Sequence, residues 1–148
     1  MDQATERIES LKAGWVGAVA TAIEFVAASA LQVLAHLPAT NGTAANGIEH
    51  WMQPETLGSA AIAVLSGGLF GITYRYVVRT DSNLQLQAGA VGAFGLVRGL
   101  GQIEATWATS PYWLTGIRLL ASLLMFATAA LLLNWSMRQG WIKRFEES

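Results

Sequence analysis

The sequence contains no cysteine, three prolines, two histidines and 13% charged residues. The lack of cysteine removes disulfides, thiolate nucleophiles and Cys-based metal sites. The shortage of charge is more telling. Soluble domains carry about 25% charged residues, so the main solvent for this chain is expected to be lipid. The net charge is −1, and the basic residues are scattered rather than massed, which argues against a nucleic-acid partner. There is no phosphate-cradling loop and no clustered set of Ser, His and acid, so a non-enzymatic protein without a cofactor is expected. His36 and His50, with Glu49 and Glu55 nearby, match no familiar metal-ligand spacing. Loop polarity accounts for both histidines; contact with a metal or tetrapyrrole is the alternative.

What the chain does have is apolar sequence, 53% of its 148 residues. Four windows reach the roughly 20 apolar residues that a spanning helix needs: 14–37, 57–78, 84–103 and 112–135. The first is too long for the apolar region of a cleaved signal, carries Glu24 at its middle and follows a segment of mixed charge. Start and stop chemistry brackets the windows. Pro38 ends the first and Pro54 precedes the second. Ser82 with Gln85 reads as a capping box for the third, Ser110-Pro111 opens the fourth, and Gly140 follows it. The sequence therefore predicts an all-α integral membrane four-helix bundle, a single domain over 1–148 with an outer loop at 38–56.

Orientation follows from the flanks. Arg7, Lys12, Arg75, Arg79, Arg138, Lys143 and Arg144 fall at the ends expected on one side, and the connections 38–56 and 104–111 contain no Lys or Arg. The positive-inside rule then predicts cytoplasmic N- and C-termini. Trp15, Tyr74, Tyr76, Trp135 and Trp141 fall near the inner ends. Trp51, Trp107, Tyr112 and Trp113 fall near the outer ends, as interfacial belts require. Arg75, Arg79, Arg138, Lys143 and Arg144 read as a basic inner rim that meets anionic lipid. The segment 141–148 reads as a short interfacial tail.

Helices in lipid associate by close backbone approach and by hydrogen bonds. Gln85, Ala88, Gly92, Gly95, Gly99 and Gln102 recur every three or four residues on one face of the third window, with Gly95 and Gly99 as a GxxxG pair. Gly67 and Gly71 form another in the second window. These glycines are expected to pack the bundle itself. The surplus, including Gly89 and Gly101, offers a docking face for another subunit or a second copy.

Charges inside a bilayer cost at least about 2.5–3.5 kcal/mol and seek partners. At 1.5 Å per residue, Glu24 lies about 15 Å from the inner end, Arg98 about 21 Å, Arg118 about 25 Å and Glu104 about 30 Å. Pairing of Glu24 with Arg98, and of Glu104 with Arg118, is expected. Such pairs fix the fold. The alternatives are a polar route for a proton, ion or anion, or contact with a partner subunit or a lipid headgroup.

The strings YRYVVRTD (74–81) and GAFGLVRGLG (92–101) resemble a group of small multi-spanning membrane proteins of cyanobacteria and chloroplasts. The resemblance covers the second and third windows. It implies a photosynthetic host and a thylakoid or plasma membrane, and it carries no activity with it. The reading is an accessory, assembly or stabilising subunit on a larger membrane complex; the alternative is a small homo-oligomeric transporter or channel using Glu24, Arg98 and Arg118.

Overall fold

The computed structural model describes residues 3–36, 52–78, 83–106 and 112–143. Among them run four α-helices: α1 (Gln3–His36), α2 (Pro54–Val77), α3 (Leu84–Thr106) and α4 (Tyr112–Arg138). Helix α1 begins well before the apolar window. Residues 3–13 are mostly good helix formers, and Lys12 pairs with Glu9 one turn away at 2.7 Å. Its 34 residues extend about 51 Å, well beyond a hydrocarbon core of about 30 Å. Pro54 occupies the first turn of α2, where a missing N–H is harmless. At the start of helix α3, Asn83 Oδ1 accepts from the Gln85 N–H at 3.0 Å. Ser82, Pro38 and the Ser110-Pro111 pair lie outside the described residues.

Three of the helices contain stretches long and apolar enough to cross a membrane: Ala4–Ala30, Pro54–Val77 and Thr115–Arg138. Helix α3, expected to be a fourth, is not among them. Gln85, Gln87, Arg98, Gln102, Glu104 and five glycines dilute its apolar content.

Neighbouring helices run antiparallel, with their strongest packing within two pairs, α1 on α2 and α3 on α4. The expected tight pairing of α2 with α3 is the weaker contact. The α1–α2 crossing is built on absent side chains. A Cβ on Gly17 would strike the Gly67 carbonyl oxygen, one on Gly67 would strike Thr21 and the Gly17 carbonyl, and one on Gly71 would strike the Ala13 carbonyl. At this approach the Thr21 hydroxyl reaches the Ala63 carbonyl across the interface at 3.0 Å, with its own helix's carbonyls at 3.1 Å as alternatives. In the second pair, Gly95 and Gly99 accept the backbone and side chains of Leu123 and Leu119.

The two pairs meet at an aromatic cluster. Phe70 lies 5.0 Å from Phe126, 5.4 Å from Phe94 and 5.2 Å from Tyr74, ring centre to ring centre. Tyr74 is buried rather than interfacial. Its hydroxyl accepts from Asn134 Nδ2 at 2.9 Å and donates to Gln87 Oε1 at 3.2 Å, and Asn134 also donates to Gln87 at 3.1 Å. One polar triad therefore joins α2, α3 and α4. The described core residues gather toward the end of the bundle that holds residues 3–13 and 134–143. The outer surface carries Trp15, Ile23, Leu65, Leu69, Val97, Leu100, Leu124 and Leu131, each more than half exposed. Soluble monomers seldom expose such continuous apolar area.

Enlarging a glycine at the crossing should be costly. Gly17→Val is expected to lower stability by about 1–3 kcal/mol through overpacking against backbone. Gly89→Val, at a position with nothing near a would-be Cβ, should melt like the parent. Thermal unfolding in detergent micelles reads the difference.

Candidate functional site

Two polar sites stand out, one at each end of the bundle. The first surrounds Arg75, which was expected on the basic rim in contact with lipid. It is instead wholly buried. Three helical turns of α1 beyond the glycine crossing bring Glu6 and Ser10 over it, and the chain after α4 returns beneath. Arg75 Nη1 donates to Ser10 Oγ at 2.7 Å and to the Glu6 carbonyl at 3.3 Å, and Nε donates to the Lys143 carbonyl at 2.9 Å. Ser10 in turn donates to the Tyr76 hydroxyl at 3.0 Å. Glu9 holds the other side of the same residue, accepting from the Lys143 N–H at 2.9 Å.

The return of the chain is a glycine-dependent turn. Gly140 has φ +75°, a conformation that side chains disfavour. Trp141 N–H bonds back to the Ser136 carbonyl at 3.1 Å, and Gly140 N–H to Met137 at 3.3 Å, the Schellman pattern of helix ends. The turn buries Ile142 and delivers the Lys143 peptide between Glu9 and Arg75. The beginning of the expected interfacial tail is thus part of the fold, although Trp141 itself stays exposed. Arg138 and Lys143 keep exposed side chains; Arg79 and Arg144 lie outside the described residues.

The second site is a half-open cleft of about 360 Å³ toward the opposite end, between α1, α3 and α4. Glu24, Arg98 and Arg118 all line it, together with Gln102, Ser29, Ser122 and Thr128, and apolar groups such as Phe25 and Met125 complete the wall. The expected Glu24–Arg98 pair does not form: among the described residues no ion pair joins the two. Helices α1 and α3 share no substantial face; Glu24 and Arg98 both line the cleft between them and α4. Glu104 is exposed and outside its lining. Ser29 and Thr128 spend their hydroxyl hydrogens on carbonyls of their own helices. Ser122 Oγ is buried without a partner among the described residues. An arrangement of two guanidiniums, a carboxylate and hydroxyls can hold an oxyanion or order a polar path; it contains no activated nucleophile.

Of the glycines expected to pack α3, Gly95 and Gly99 do so, whereas Gly92 meets nothing within 4 Å of a would-be Cβ, as with Gly89 and Gly101. The regular spacing that marked Gly92 places it on a face but does not say which face has a neighbour. No group of three or more metal-ligating side chains occurs among the described residues; His50 and the His36 side chain lie outside them. Sequence reasoning missed Glu9, Ser10 and Asn134, and only the location of Ser10 and Glu9 on the polar extension of α1 hinted at a role.

Arg75→Lys should not rescue the first site. A lysine lacks the planar fork that reaches Ser10, Glu6 and Lys143 together, and the loss should approach that of Arg75→Ala, about 3 kcal/mol from orphaned buried partners. Limited proteolysis should then cut near residues 139–143, which the parent protects.

Comparisons with family models, with curated proteins and with solved structures find no match to this chain.

Proposed function

We propose that the chain is a small, non-enzymatic membrane subunit that docks on a larger assembly through α3. The outward face of α3 carries this reading. Ala88, Gly89, Gly92 and Ala93 recur on one side of the helix, three of them exposed and Gly92 half-buried, with nothing near a would-be Cβ at Gly89 or Gly92. The same helix is the least suited of the four to face lipid and the least enclosed by its neighbours, with Gly95 and Gly99 its only buried residues among those described. A polar, glycine-lined helix on the edge of a bundle gains from a partner helix that can approach its backbone closely.

In this reading all four helices cross the bilayer. Helix α3 lies alongside α2 and α4 from the Tyr74–Gln87 bond at one end to the Gly99–Leu119 contact at the other, so it shares their depth. Both termini face the cytoplasm, following the basic flanks. The host is a thylakoid or plasma membrane, on the strength of the resemblance in helices α2 and α3.

In native gels in mild detergent the parent is expected to co-migrate with a larger complex, identified by mass spectrometry of the band. Gly92→Leu with Gly89→Leu should release it while leaving the chain's own melting temperature unchanged. Migration of the parent alone at the mass of one chain would defeat the reading.

The cleft favours a second reading, a homo-oligomeric transporter or channel, because it gathers Glu24, Arg98 and Arg118 around one polar space. Flux in liposomes that disappears with Glu24→Gln would support it.

A further inference from the structure

Of the charged side chains lining the cleft, Glu24 and Arg98 make no hydrogen bond or ion pair among the described residues. Arg118, like Gln102, is already engaged. An unpaired charge at mid-membrane depth is expensive. Here two of opposite sign line one space of about 360 Å³ without closing on each other. A lone anion or cation would satisfy only half of that space, whereas a molecule carrying both charges satisfies both. Spacing narrows the class. At 1.5 Å per residue the two lie about 6 Å apart in depth. An α-amino acid whose ammonium and carboxylate each make a charge-assisted hydrogen bond of about 2.8 Å bridges protein atoms up to roughly 8 Å apart. The volume is enough for such a molecule. Phe25 and Met125 supply an apolar stretch of the same wall. The Ser122 hydroxyl, buried there without a partner among the described residues, is a spare donor.

We propose that the cleft between α1, α3 and α4 binds a zwitterionic α-amino acid with an apolar side chain, its ammonium on Glu24, its carboxylate on Arg98 and its side chain against Phe25 and Met125. Ser122 donates a further hydrogen bond to the carboxylate. The bound molecule is neutral overall, so it brings no net charge into a low-dielectric site. The site stands apart from docking through α3, with whose outward face it shares no residue, and from flux, which binding does not require.

The full chain in a non-ionic detergent is dialysed to equilibrium against labelled leucine and three labelled part-molecules: isopentylamine, which lacks the carboxylate, isocaproate, which lacks the ammonium, and glycine, which lacks the side chain. Saturable leucine binding, at least tenfold tighter than that of each part-molecule, is the expected result. Arg98→Gln should weaken leucine tenfold or more and leave isopentylamine unchanged. Glu24→Gln should weaken leucine as much and leave isocaproate unchanged. Arg138→Gln, on the exposed terminal rim, should alter none of them. The part-molecules decide the matter on the parent chain even if neither cleft variant folds. Absence of saturable leucine binding, equal binding of leucine and either singly charged part-molecule, or leucine binding indifferent to both cleft variants overturns the proposal.

Discussion

The near-contact of backbones where α1 crosses α2 sets the position of everything else. With Gly17 against Gly67 and Gly71 against Ala13, the axes come close enough for Thr21 to reach the Ala63 carbonyl. In lipid, where apolar burial between helices gains little, such approach and the dispersion and hydrogen bonding it permits are the main source of cohesion. Fixing that crossing fixes the lever arms on either side. On one side the long polar extension of α1 lies over Arg75. On the other lies the cleft that Glu24 lines.

The bundle is consequently uneven along its length. One half is closed by the aromatic cluster around Phe70, by the Tyr74–Gln87–Asn134 triad and by the Arg75 clamp. Arg75, Tyr74, Asn134 and Glu9 find protein partners there, although Arg75 Nη2 and the Ser136 hydroxyl are buried without one among the described residues. The other half keeps its polar groups around an open space. Cohesion and chemistry are thus separated, and changes around the cleft need not disturb the half that holds the fold.

Much of this architecture was legible in the sequence. The four helices fall where apolar windows predicted them, and the pairs Gly67/Gly71 and Gly95/Gly99 mark true contact faces. What the periodicity cannot supply is which face meets which neighbour. Gly92 obeys the same spacing as Gly95 and Gly99 yet looks outward, because α3 lies at the edge. Depth along the axis brought Glu24 and Arg98 to similar levels, but their helices are not adjacent, so equal depth became a shared cleft and not a bond. Arg75 read as a rim charge because its neighbours in sequence are aromatic and basic. Its real partners lie 65 or more residues away on either side, and no local pattern announces them.

The Lys143 peptide, gripped by Glu9 and Arg75, also orders events in biogenesis. It leaves the ribosome only after α4 has been made, whereas Glu9 is among the first residues to appear. Until then Arg75 lacks one of its acceptors. The clamp around Arg75 is thus completed only by the last part of the described chain to be made.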